Sequence, residues 1–309
     1  MYISSETRLF IREHSTDDVR TLALQSKKYP DVDMPVAITQ IAGRQIAAEK
    51  IPSWKKIEDI RYPKHLSLEQ CSSEITAYYK AGLLQGDSLT DLTGGFGVDC
   101  SFLAEKFKSV TYVERQEELC GIAAHNFPIL DLNHINVKNE DGIAHLKAMS
   151  PVDCIFLDPA RRNEHGGKAV AISDCEPDVA ALEGLLLNKA KQVMVKLSPM
   201  LDLSLALREL QQTQEVHIIS VNNECKELLL ILGQTIPQEI KIHCVNLSTK
   251  GEQEGQHFTF TREQEQCSQC SYTDSLDEYL YEPNASLLKA GAFKSLSSAF
   301  PIRKLHPNS

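Results

Sequence analysis

From Ser88 onward the chain alternates short apolar runs with amphipathic stretches of helix length. The runs are SLTDLT, SVTYVE, INVKNE, DCIFLDP, QVMVKLSP, EVHIISV and ELLLILG. Helical patterns fall between the first six, at about residues 97–107, 116–126, 142–149, 177–190 and 202–211. Such alternation builds a mostly parallel sheet covered by helices. The expectation is a seven-stranded, doubly wound, Rossmann-like α/β fold. Only VNNECK separates the last two runs, too little for a crossover helix, so the last strand is expected to run antiparallel to its neighbour.

The flanks read differently. Residues 1–86 carry helical spacing in DDVRTLALQSKKY and AITQIAGRQIAAEK, interrupted at Pro30, Pro35 and Pro52. LSLEQCSSEITAYYKAGLL places Ser67 three residues before Gln70, a capping-box spacing, and predicts one helix ending at Gly82 or Gly86. After Gly233 the pattern weakens: EIKIHCVNLS and HFTFT suggest strands and ASLLKAGAFKSLSSAF a helix, a small α+β appendage. The expected domains are a helical 1–86, a central 87–233 and an appendage 234–309. The final RKLHPNS has no terminal logic, so a shortened chain is expected.

No apolar run among the 309 residues approaches the roughly 18 residues of a membrane span, and the start MYISSETRLF lacks a signal-peptide pattern. Nine cysteines, an odd number scattered through apolar stretches, suggest a reducing cytoplasm rather than a disulfide framework. The net charge of −10 argues against a generic nucleic-acid coat, without excluding a local basic path. Most of the excess acid lies in residues 87–233, with 13 basic and 22 acidic side chains.

TDLTGGFGVDC, residues 90–100, is the most informative stretch. A strand ends near Asp91 and Leu92, glycines follow at 94, 95 and 97, and a helix starts near Val98. Glycines permit a sharp turn and close approach of a ligand to the backbone. A dinucleotide fingerprint would need a third glycine where Cys100 stands, and Asp91 would repel a pyrophosphate. The spacing suits a ligand with a cationic end and no phosphates. Glu114 ends the second run 23 residues later, placed to accept from ribose hydroxyls or simply to be solvated. Asp141 follows the third run, where a helix N-cap is the competing reading.

Asp91, Gly95 and Gly97 resemble motif I of the class I S-adenosylmethionine-dependent methyltransferases. The resemblance implies S-adenosylmethionine as cofactor, held by Asp91, Thr93, Gly95, Gly97, Glu114 and Asp141, with Asp141 accepting from the adenine amino group. CIFLDPARR resembles the family's motif IV, found in enzymes that methylate amino groups of nucleobases, and implies catalytic roles for Asp158, Pro159 and Arg161. An amine on a heteroaromatic ring is a poor nucleophile, so an acceptor must take its N–H. Ala160 replaces a proline and Arg161 an aromatic residue. Arg161 and Arg162 are thereby suited to gripping phosphate or carboxylate, with surface ion pairs the alternative. A D-P-x-R ending also resembles RNA uridine C5-methyltransferases, but KLSPMLDL lacks their cysteine nucleophile.

Lys196, Ser198 and Pro199 lie on the expected ligand side, lining an acceptor pocket or forming a turn. Cys267 and Cys270 have no second ligand pair at zinc spacing and no two histidines form H-x-x-x-H, so no metal is expected. From Pro283 onward Lys289, Lys294, Arg303 and Lys304 stand without an acid. YLYEPNASLLKAGAFKSLSSAF, read with the central motifs, resembles bacterial methyltransferase-like proteins that carry a ferredoxin-like insert and then a THUMP-like domain, the latter expected to be missing from this sequence. THUMP domains bind RNA. The resemblance therefore implies a cytoplasmic enzyme methylating an amino group of an RNA base. Its alternatives are a protein or metabolite substrate, or a non-catalytic module that retains the cofactor.

Overall fold

Capping side chains start the first three helices. Ser4 caps α1 (Ser5–Glu13), Asp18 caps α2 (Val19–Leu24) and Asp33 caps α3 (Met34–Lys50), each accepting a backbone N–H of the first turn. Pro35 and Pro52 do not interrupt helices. They open α3 and α4 (Pro52–Lys55), where a missing N–H costs nothing. A computed structural model of the chain describes residues 3–161, 172–249, 255–276, 278–300 and 302–307, without the side chains of residues 161 and 174. Contacts divide the chain into two compact units, Met1–Ala148 and Met149–Ser309.

In the first unit the helix expected from Ser67 to Gly82 is two helices, α5 (His65–Gln70) and α6 (Glu74–Ala81). Ser67 lies inside α5 rather than capping it. The break at 71–73 has a cause. The Ser72 hydroxyl donates to Asp99 Oδ2 at 2.7 Å and accepts from Lys80 Nζ at 2.9 Å, a buried network that a continuous helix would displace. Three parallel strands follow: β1 (Ser88–Asp91), β2 (Ser109–Glu114) and β3 (Ile135–Asn139), in spatial order β1–β2–β3. The helices between and after them are α7 (Val98–Ala104), α8 (Glu117–Ile129) and α9 (Gly142–Ala148). Trp54, Tyr62, Leu68, Phe96, Val98 and Ile122 share one core cluster, so the glycine-rich turn is packed against the helical segment.

The second unit starts with β4 (Val152–Leu157). A two-stranded ribbon of β5 (Ala160–Arg161) and β6 (Cys175–Glu176) follows, then α10 (Val179–Lys189), β7 (Ala190–Leu197) and α11 (Leu203–Glu209). β8 (Thr213–Val221) and β9 (Glu224–Gly233) form the expected antiparallel hairpin, turning through Asn222 and Asn223 at φ 50° and 64°. β9 lies between β7 and β8, antiparallel to both.

The expected strand number is corrected: among the described residues the sheet strands number nine rather than seven, three in the first unit and six in the second. β10 (Lys241–Leu247) pairs parallel to β8, and β11 (Gln256–Thr261) pairs antiparallel to β10. Unpaired strands would leave backbone donors and acceptors exposed, and β8 offered them a free edge. The remaining helices are α12 (Arg262–Cys267), α13 (Ala285–Ala290) and α14 (Phe293–Ala299), of which α13 packs on β8, β9 and β10. β4, β7, β8 and β9 have almost continuously buried centres, as sheets covered on both faces do. Among the described residues no helix is long and apolar enough to cross a membrane.

Candidate functional site

The turn after β1 is built by its backbone. Gly95 and Gly97 take φ +55° and +87°, conformations that strain any other L residue. Gly94 is needed for a different reason: a Cβ there would stand 2.2 Å from the Tyr112 ring. The Tyr112 hydroxyl donates to the Gly95 carbonyl at 2.5 Å, and Gly95 N–H donates to Glu114 Oε2 at 2.9 Å. Gln116 N–H donates to the other Glu114 oxygen at 2.8 Å. The turn and the end of β2 are thus one hydrogen-bonded unit.

Asp91 is buried at the end of β1, and its Oδ1 accepts Thr93 N–H at 3.0 Å. Burial, with smaller contributions from the Glu114 and Asp91 charges, drives the Tyr112 phenol far above its ordinary value. Asp141 is exposed and caps α9, its Oδ1 accepting Ala144 N–H at 2.8 Å. These three carboxylates at the ends of successive strands can accept from an ammonium, hydroxyls and an aromatic amine. They suit a nucleoside with a cationic amino acid end and would repel phosphates, so the donor set fits S-adenosylmethionine.

In the second unit, Asp158 stands just beyond β4 and Lys196 near the end of β7, the parallel neighbour of β4. Lys196 Nζ donates to Asp158 Oδ2 at 2.5 Å. Pro159 is buried beside this pair. Arg161 places its backbone in β5 opposite Cys175, but its side chain, like all of Arg162, lies outside the described residues. Ser198 forms a local turn, accepting Met200 N–H at its hydroxyl and Leu201 N–H at its carbonyl.

Sequence reasoning missed three groupings. The Lys196–Asp158 pair joins residues 38 positions apart, for which only their shared place at strand ends was a signal. Fully buried Lys80 pairs with Asp99 Oδ1 at 2.9 Å, pinning α6 to α7 just after the glycine turn, and nothing in the local pattern announced it. Arg8, Arg12, Arg44 and Arg61 line one cavity of the first unit, though scattered over two helices and a loop. All nine cysteines are free thiols.

An α/β sheet whose first strand ends on an acid and a glycine turn, with acids closing the next two strands, defines a methyltransferase domain, and comparison with known proteins agrees. A family model described as protein-L-isoaspartate(D-aspartate) O-methyltransferase matches residues 37–163, and one described as a ferredoxin-like domain matches residues 279–309. A crystal structure from Porphyromonas gingivalis W83, of a protein assigned as a methyltransferase, is similar over 100% of this chain and 78% of its own, with 35% identity and a TM-score of 0.85. The chain belongs to the family of that protein. A Streptococcus mutans protein assigned as a methyltransferase and crystallised with SAH shares 12% identity over 52% of this chain and 96% of its own, with a TM-score of 0.37. An rRNA methylase from Streptococcus thermophilus shares 13% identity over 52% of this chain and 93% of its own, also with a TM-score of 0.37. No curated protein matches. The family matches point to S-adenosylmethionine as the cofactor of this methyltransferase.

Proposed function

We propose that the chain methylates an amino group of an RNA base, with Asp158 as the acceptor that activates the amine. The observation that carries this is a carboxylate followed by a buried proline at the end of a central strand, held by a lysine. When bound, S-adenosylmethionine supplies an electrophilic methyl group on a sulfonium. Asp91 and Thr93, with the backbone of Gly95 and Gly97, hold its amino acid end, Glu114 accepts from its ribose hydroxyls, and Asp141 accepts from its adenine amine. Glu114 is already fixed by two backbone N–H groups, so little ordering remains to be done on binding.

A base amine is unreactive because its lone pair is delocalised into the ring. Asp158 takes one N–H and turns that lone pair out of conjugation, and the Pro159 carbonyl serves as a second acceptor. Lys196 occupies one oxygen of Asp158 without exhausting it, since a carboxylate has about four lone-pair sites. Arg161 and the basic residues after Pro283 contact phosphates, so RNA affinity falls as salt rises. The cavity of the first unit lined by four arginines carries a smaller excess of the same sign, since Asp59 pairs with Arg8 and Glu58 with Arg12. A cytoplasmic location and the division into segments 1–86, 87–233 and 234–309 belong to the same proposal.

A second reading, methylation of a protein carboxylate, is favoured by the isoaspartate methyltransferase match. Labelled cofactor offered to separated RNA and protein pools decides between them. Asp158→Asn is expected to lower transfer to RNA at least 100-fold, about 2.7 kcal/mol of barrier, while cofactor affinity stays within threefold. Unchanged transfer to RNA by this variant removes the role of Asp158, and label confined to protein removes the RNA reading.

A further inference from the structure

β8 and β10 run parallel with His217 opposite His243 and Glu215 opposite Lys241. Residues two apart on a strand share a face, so Glu215, His217 and His243 converge on one side of the sheet. One ligand atom from each lies within 4.8 Å of the others. Glu215 Oε2 is 3.3 Å from His217 Nε2 and 3.7 Å from His243 Nε2. Around a tetrahedral ion with bonds of about 2.0–2.1 Å, ligand atoms stand roughly 3.4 Å apart, so two edges of such a site are close to their final length.

The environment of His243 is that of a ligand. Its Nε2 is buried and has no hydrogen-bond partner among the described residues, while its Nδ1 lies 2.9 Å from the Thr259 hydroxyl. Metal-bound imidazoles are held in this way, one nitrogen anchored to an outer partner and the other facing the ion.

We propose that Glu215, His217 and His243 form a binding site for a divalent transition ion of the zinc type, independent of methyl transfer. Two imidazoles and a carboxylate suit zinc and leave a fourth position for water. The rings now stack with centroids 4.4 Å apart and planes 12° from parallel, which sets their lone pairs side by side. Coordination therefore requires one ring to pivot. His243, 24% exposed against 4% for His217, is the ring with room to do so. The bound ion ties β8 to β10, and exposed Lys241 beside Glu215 moderates its affinity by repulsion.

The test is titration of the 309-residue chain, freed of metal by chelation, with Zn2+ in a calorimeter and with Co2+ for the visible bands of a tetrahedral site. One equivalent is expected to bind and to raise the melting temperature. His243→Ala should weaken binding at least 100-fold and Glu215→Gln about tenfold. A Cys267→Ser, Cys270→Ser double variant should bind like the parent. Circular dichroism of each variant checks that it is folded, and Glu215, on the surface, provides the variant least able to disturb the core. Failure of the parent to take up one equivalent overturns the proposal, as does unchanged affinity in both ligand variants or loss of binding in the cysteine double variant.

Discussion

Two lysine–aspartate pairs in this molecule look alike on paper and differ in what they can do. Lys80–Asp99, in the first unit, has side chains 0% and 11% exposed and is joined by the Ser72 hydroxyl. Lys196–Asp158, in the second, has side chains 10% and 38% exposed and sits where two parallel strands end. Removing one partner of a closed, buried pair strands a charge in a medium that cannot solvate it. A pair whose carboxylate reaches solvent at a strand end keeps acceptor capacity for something else, at the edge where open α/β sheets bind ligands. The first pair is a structural pin under the glycine turn. The second has the exposure that chemistry requires.

The comparison can be broken at three points. Lys80→Met is expected to cost about 3–5 kcal/mol by leaving Asp99 uncompensated, read as a fall in the denaturation midpoint. A loss below about 1 kcal/mol would mean that the first pair is no more structural than the second. Glu114→Gln keeps the shape but weakens a charged acceptor of Gly95 N–H, and should reduce cofactor affinity roughly 10- to 30-fold, about 1.4–2 kcal/mol. Calorimetry with S-adenosylmethionine measures it, and an unchanged affinity would detach the end of β2 from cofactor binding. Lys196→Met should shift stability by no more than about 1 kcal/mol, because the carboxylate it leaves behind is partly solvated. The transfer rate of the same variant should nevertheless fall about tenfold as Asp158 loses its fixed direction. Equal losses in stability for Lys80→Met and Lys196→Met would erase the distinction.

Much of the fold was readable along the chain. The short runs became strands, and VNNECK became a hairpin turn because Asn222 and Asn223 tolerate positive φ. The glycine turn was equally legible, since Gly95 and Gly97 supply a backbone conformation that other residues resist. The split between α5 and α6 was not legible. Its cause is Asp99, brought to Ser72 from 27 residues away. The pairing of β10 with β8 was not legible either, because nothing local in EIKIHCVNLS specifies a partner strand.

The same limit applies to the candidate sites. Asp91, Glu114 and Asp158 could be picked out by position because each closes a strand, whereas Lys196 gained its partner only through the register of β4 against β7. His217 and His243 share no helical spacing. They meet because two parallel strands place them opposite each other. Periodicity, turn conformation and the order of strands are set by near neighbours along the chain, and the amino-acid order determined them here. Which charges and ring nitrogens meet depends on strand register and on packing across the sheet. Those quantities sum contributions from distant segments, and only the tertiary structure decided them.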